Sequence, residues 1–350
     1  MAKKTAKRVA LDLGFSARRA AEAELVASEL AFNHVMHKTK QGIIRITGLD
    51  LAHLPVLTIA SLDEGPGIAN LSMACSGKTP FGKGLGAGLA AVARLADEFS
   101  ACSCLDTSSP CPAVAPEQGH GTVICATLRP GSERPGTRSI GWPRLAGIIA
   151  PRPSGGQCGD RIIVQTDGRY LRVTVIDTEG ISMWPGKEGH PLVQNLERLA
   201  LLWPPDRVLD QLKKSCLPGQ PSARILLVDL LSGSVQSAGM GNVRLVLHAL
   251  QETGRHVTVL RGMRGEGEDP VLIGSIAELW IMAATDGLPP PPPLIQRPGW
   301  IFPFRNPPIM PCIWTQVLFP RHNEIRDDAS LMVLTWQRRS ASASTSSALS

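Results

Sequence analysis

The chain has 350 residues, 43% hydrophobic and 19% charged, with a net charge of +6 and a pI near 9.0. That length accommodates two domains, each able to bury its own core. The composition excludes a disordered or fibrous chain, and the absence of an apolar run of about 18 residues argues against a membrane span. No basic stretch interleaved with aromatics suggests nucleic-acid binding, and the basic start, Met1 to Arg8, reads as a solvated tail. The start lacks an apolar segment of signal-peptide type, so the expectation is a cytoplasmic protein with reduced thiols. Its eight cysteines include no Cys-x-x-Cys pair, and zinc is not expected.

Ser16 reads as the N-cap of a helix from Ala17 to Met36. Glu29 and Asn33, four apart, share one face of it. Val26 and Leu30 lie close to that face and turn it inward. The pair is either a polar helix edge or a carboxylate beside an amide able to hold Mg²⁺. Strands are expected at Gly42 to Thr47 and Val56 to Ala60. The second leads into Asp63-Glu-Gly-Pro-Gly67, where Gly65 and Gly67 allow a sharp turn and a close ligand approach. A loop carrying Gly84, Gly86 and Gly88 precedes an amphipathic helix with Leu89, Val92, Leu95 and Phe99. Backbone N–H groups before a helix start favour an anion there. Gly119-His-Gly-Thr122 opens a strand to Leu128, and residues 131–144, rich in Pro, Gly and charge, read as a linker.

Glu…Asn on a helix, Asp-x-Gly-Pro-Gly, Gly-Leu-Gly-x-Gly-Leu and Gly-x-Gly-Thr, in that order, resemble the GHKL ATPase fold. Leu13-Gly-Phe-Ser16, Ser28-Glu-Leu-Ala-Phe-Asn33 and Asp97-Glu-Phe99 resemble its RsbT-type anti-sigma serine kinases. The resemblance implies a GHKL (Bergerat) α/β sandwich over residues 1–130 that binds ATP and Mg²⁺. In it Asp63 reads the adenine, with Gly65, Gly67 and Thr122 around it. Gly84, Gly86 and Gly88 wrap the triphosphate, Asn33 holds Mg²⁺, and Glu29 is the general base for a substrate serine.

Further on, Arg161 to Thr166 and Tyr170 to Asp177 read as a hairpin about Asp167-Gly168. Helices are expected at His190 to Leu202 and Pro205 to Cys216. Strands follow at Ala223 to Leu231, Ser234 to Ser237, Val243 to Leu247, His256 to Leu260, Glu278 to Ala283 and Ser330 to Trp336. Asp160, Asp177, Asp286 and the pair Asp327-Asp328 stand at strand ends. Such residues either cap turns or converge as an oxygen-rich site for Mg²⁺ or Mn²⁺. The prolines from Leu288 to Pro311 predict an extended surface loop, and residues 338–350 a disordered tail.

Ile148-Ile-Ala-Pro-Arg-Pro, Cys158-Gly-Asp160, Val175-Ile-Asp177, Ala238-Gly-Met-Gly-Asn242, Thr285-Asp-Gly287 and Asp327-Asp-Ala-Ser330 resemble the SpoIIE-type PPM serine phosphatases, the small RsbX-type member included. Over residues 145–337 this implies an α-β-β-α sandwich with two Mn²⁺ or Mg²⁺ ions on Asp160, Asp177, Asp286 and Asp327. The chain departs from the family after Asp177: Thr178 stands where a glycine offers its carbonyl to a metal. Together the resemblances imply an α/β two-domain partner-switching enzyme. It would act on a regulatory serine of a small antagonist or scaffold protein and so set a downstream regulator in stress or sigma-factor signalling. The alternative is an ATP-dependent binding switch with an inactive phosphatase domain.

Overall fold

The structure is a computed structural model that describes residues 1–37, 39, 41–51, 54–76, 87–104, 121–131, 144–150, 152, 158–177, 196, 199–215, 222–262, 270–289, 311–319, 325 and 327–338. Contacts divide the chain into two compact units. The first is Met1–Gly136 with Ala146–Ile149 and Ile309–Glu324; the second is Thr137–Leu145, Ala150–Pro308 and Ile325–Ser350.

The first unit begins with α1 (Ala2–Asp12) and α2 (Ala17–Met36). The basic start is therefore a helix and not a solvated tail. Its Ala6 and Ala10 are fully buried, while its lysines point outward. Ser16 caps α2 as expected, accepting from Arg19 N at 3.2 Å. Strands β1 (Ile43–Leu51), β2 (Leu54–Asp63), β3 (Glu98–Cys104) and β4 (Gly121–Leu128) form an antiparallel sheet ordered β1-β2-β4-β3. Alternation sorts its two faces. Leu57, Ile59, Ile124, Ala126 and Leu128 pack against Ala20, Ala23, Val26, Ala27 and Leu30 of α2. Leu89 and Val92 of α4 (Ala87–Leu95) join the same core; α3 (Leu71–Ser76) lies beside it. The helix expected to run on to Phe99 stops at Leu95. Asp97 N donates to Thr127 O, and pairing with β4 draws Phe99 into β3, where it still packs against the same core.

A buried polar knot ties this unit together. Arg19 donates to Glu22 Oε2 (2.6 Å), Asp97 Oδ2 (2.5 Å), Leu95 O (2.9 Å) and Arg129 O (3.0 Å). Asp97 Oδ2 also accepts from Arg129 N at 2.6 Å. One guanidinium thus fixes the start of α2, the end of α4 and the exit of β4.

The second unit contains two antiparallel sheets. One is ordered β12-β9-β8-β7-β6, from β6 (Arg161–Thr166), β7 (Tyr170–Asp177), β8 (Ser222–Asp229), β9 (Ser234–Met240) and β12 (Val271–Ile273). The other runs β11-β10-β13-β14 within this unit, from β10 (Arg244–Gln251), β11 (His256–Arg261), β13 (Ile276–Ala284) and β14 (Ala329–Gln337); residues Ala146–Ile149 of strand β5 (Arg144–Ala150) group with the first unit. Helix α5 (Pro205–Ser215) buries Val208, Leu209 and Leu212 against Ile163, Ile176, Ala223, Ile225 and Ala238. Asp160, Asp177 and Ser222 fall on the opposite face of that sheet by alternation. The helix expected over 190–202 lies largely outside the described residues. Carbonyls of Leu196, Leu199 and Ala200 accept from the buried Arg172 guanidinium, and residues 201–202 form a turn.

Of the stretch expected to be extended up to Pro311, residues 290–310 lie outside the described residues. Pro311 itself starts helix α6 (Pro311–Leu318), where a missing N–H costs nothing. This helix groups with the first unit. Cys312 and Ile313 pack with Ala60, Val123 and Cys125, the sheet face turned away from α2. Arg45 of β1 donates to Gln316 O, Gln316 Oε1 and Phe319 O.

Candidate active sites

In the first unit, the start of α4 meets the polar face of α2. A Cβ at Gly88 would stand 2.6 Å from Glu29 Oε2 and 4.0 Å from Asn33 Oδ1. A side chain at this position would have to displace the Glu29 carboxylate. Asp63 ends β2 directly opposite Thr122 of β4. Its Oδ1 accepts from Gly65 N at 2.8 Å, and Gly67 has φ +77° in the same turn, a region that favours glycine. Ile68 N donates to Ser103 Oγ at 2.7 Å, and Ser103 shares a hydrogen bond with Thr122 Oγ1 at 3.0 Å. Burial raises the pKa of Asp63 above the usual carboxylate range, partly countered by the Gly65 N–H and by His34 and His37. Burial lowers that of His34, which lies 2.8 Å from Ser61 Oγ. The structure therefore places Glu29, Asn33 and Gly88 together, and Asp63, Gly65, Gly67 and Thr122 together. His34, next to Asn33 in sequence, interacts electrostatically with Asp63. Gly84 and Gly86 lie outside the described residues. Ser61 and Ser103 were not singled out by sequence, since a serine in a strand carries no signal of its own.

In the second unit, strand register builds the site. Asp177 faces Ser222 across β7–β8. Arg161 pairs with Ile176, so one step further Asp160 falls beside Asp177. Ala223 pairs with Met240, so Gly241 falls beside Ser222. Asp160, Asp177, Ser222 and Gly241 thus form one row at one end of the sheet. The other sheet supplies Thr285 at the end of β13, whose Oγ1 donates to Asp160 Oδ2 at 2.7 Å. The following loop presses on the segment before β14: a Cβ at Gly287 would stand 2.0 Å from Asp328 O. Asp328 accepts from Gly159 N at 2.6 Å and from Arg152 N at 2.9 Å. Asp327 Oδ1 accepts from Asp328 N at 2.8 Å.

Asp160 is fully buried, and its Oδ1 accepts no hydrogen bond among the described residues. Desolvation pushes its pKa up to about 7. The Thr285 hydroxyl opposes that rise, and the charges of Asp328 and Asp286 add to it. A buried carboxylate with an unused oxygen and acidic neighbours is what a hard cation fits. Among the described residues no three His, Cys, Asp or Glu side chains stand together as a ready metal cage, and Thr178 lies outside the described residues. By sequence Asp328 groups with Asp327 among the strand-end acids but is not named as a ligand, and Thr285 sits within a quoted motif without a role of its own.

No protein-family model matches the chain, and no curated protein matches it. The solved structures it is similar to carry phosphatase domains of PPM/PP2C type. RsbX in complex with magnesium is 14% identical, with 56% of this chain and 96% of that chain covered, at a TM-score of 0.41. The phosphatase domain of the cell fate determinant SpoIIE from Bacillus subtilis is 14% identical, covering 59% and 98%, at 0.37. The catalytic domain of the serine/threonine phosphatase PstP in complex with two manganese ions is 12% identical, covering 56% and 99%, at 0.31. No helix among the described residues is long and apolar enough to cross a membrane.

Proposed function

We propose that the second unit is a metal-dependent serine/threonine protein phosphatase acting on a phosphoserine of a small antagonist or scaffold protein. The observation that carries this reading is Asp160: a fully buried carboxylate with one oxygen unused among the described residues, its pKa raised in part by Asp286 and Asp328. Asp160, Asp177, Asp286 and Asp327, with the Thr178 carbonyl, would hold Mg²⁺ or Mn²⁺. A bound divalent ion supplies charge neutralisation and water activation for phosphoester hydrolysis. The chain's own part is to hold the carboxylates. Thr285 fixes one oxygen of Asp160 and leaves the other available. Gly287 lets the Asp286 loop seat against Asp328.

For the first unit the proposal is an ATP-binding serine kinase of GHKL type working on the same kind of partner. Asp63 and Thr122 would take the adenine, Gly84, Gly86 and Gly88 the phosphates, and Asn33 an Mg²⁺. Glu29, against Gly88, would accept the proton of a substrate serine. The two units then write and erase one mark, a partner switch of the stress or sigma-factor kind.

The test uses the full chain. Hydrolysis of p-nitrophenyl phosphate should require Mn²⁺ and fall at least about 10–100-fold in Asp177→Asn. Turnover without metal, or unchanged in that variant, would sink the phosphatase reading. Transfer of ³²P from ATP to a small partner protein should drop about 10²–10⁴-fold in Glu29→Ala. Equal transfer would remove Glu29 as the base.

A further inference from the structure

Asp286 is exposed, on a turn, and needs a reason to keep one orientation. The reason lies on the turn between β9 and β10, which are in different sheets. Asn242 Nδ2 donates to Asp286 Oδ2. Asn242 is itself locked to Ser222: Ser222 Oγ donates to Asn242 Oδ1 at 2.9 Å and accepts from Asn242 N at 3.1 Å. A flipped amide would set its oxygen against the Asp286 carboxylate, which only accepts, so the carboxylate fixes which end faces it while Ser222 holds the other. Gly241 permits the arrangement, with φ +70° and space for only a hydrogen where a Cβ would stand 2.2 Å from Ser222 Oγ. Ser222 is in turn the cross-strand neighbour of Asp177. A chain of contacts runs from the Asp177 row through Ser222 and Asn242 to Asp286.

We infer that Asn242, set by Ser222, is the positioning residue that orients the Asp286 carboxylate for a divalent cation. The inference rests on the phosphatase reading and deepens it. One oxygen of Asp286 is occupied by the Asn242 amide, which leaves the other for the ion. Without that bond the side chain must be ordered at the moment of binding, which weakens affinity.

The experiment measures Mn²⁺ binding by calorimetry on the full chain, with circular dichroism as the folding check. Asn242→Ala should weaken the Mn²⁺ Kd about 10–100-fold. Hydrolysis of p-nitrophenyl phosphate should fall at low Mn²⁺ and recover at saturating Mn²⁺. Ser222→Ala, the milder change, should weaken the Kd about three- to tenfold and carries the test if Asn242→Ala does not fold. The double variant should bind no worse than Asn242→Ala, since the serine acts through the amide. Unchanged Mn²⁺ affinity in the single variants, or fully additive losses in the double one, would overturn the inference while leaving the phosphatase reading intact. A parent chain that binds no Mn²⁺ would overturn both.

Discussion

Asp160→Asn should stabilise the metal-free protein at pH 8 by up to about 4 kcal/mol while abolishing Mn²⁺-dependent hydrolysis. The native carboxyl titrates at about 7, against 3.8 for the unperturbed group; each pH unit of difference is worth about 1.4 kcal/mol. The sign follows from linkage. Below pH 3.8 the carboxyl is protonated in both states and the substitution changes little. Between 3.8 and 7 the unfolded chain releases the proton and the native chain keeps it, so the parent loses stability as pH rises. Above 7 the loss is complete. Asparagine keeps an acceptor for Thr285 and carries no charge, so its stability should not follow this slope. Urea unfolding of the second unit in EDTA at pH 4, 5.5 and 8 measures the effect. A parent–variant difference that does not change with pH would refute it. Saturating Mn²⁺ should close the gap by stabilising the parent alone.

Arg19→Ala should cost the first unit about 3–5 kcal/mol, because it leaves a buried carboxylate without its cation. The side chains of Arg19 and Asp97 are only 12% and 7% exposed. The substitution also strips donors from the carbonyls of Leu95 and Arg129. Arg19→Lys should recover little, since one ammonium cannot serve a carboxylate and two carbonyls in the geometry of a guanidinium fork. Arg18→Ala is the control. Its side chain is 91% exposed beside Glu22, and the change should stay within about 0.5 kcal/mol. Thermal unfolding monitored on the first unit separates the cases; equal losses at Arg18 and Arg19 would contradict the buried-knot account.

Much of the fold was legible where the local pattern and tertiary packing agree. Ser16 capped its helix. The strands from Arg161 onward appeared close to where alternation and turns put them. Sequence failed where burial is achieved by small residues or by pairing with distant partners. Ala6 and Ala10 are too small to mark an apolar stripe, so α1 looked like a charged tail. Phe99 fits the helical period of α4 yet belongs to β3, because pairing with Ala126 across the sheet outweighs a local period. The proline run concealed α6, although Pro311 is a favourable first helical residue. Of the candidate sites, the strand-end aspartates and the shared helix face of Glu29 and Asn33 were visible in the sequence, while their roles came only from the resemblances. Ser222 could not, because its contacts come from facing Asp177 on one strand and Asn242 on the β9–β10 turn twenty residues away.

The membership of α6 in the first unit has a practical consequence for dissection. The chain returns to the first unit at Ile309–Glu324, after most of the second unit's sequence has passed. Cutting at residue 136 would therefore not yield two intact halves. The N-terminal fragment would lack the cover over Ala60, Val123 and Cys125, and Arg45 would lose its acceptors on Gln316 and Phe319. The C-terminal fragment would carry an apolar helix without its seat. In gene terms the two units are interleaved and not concatenated. Neither half can be exchanged as a cassette unless residues 146–149 and 309–324 travel with the first.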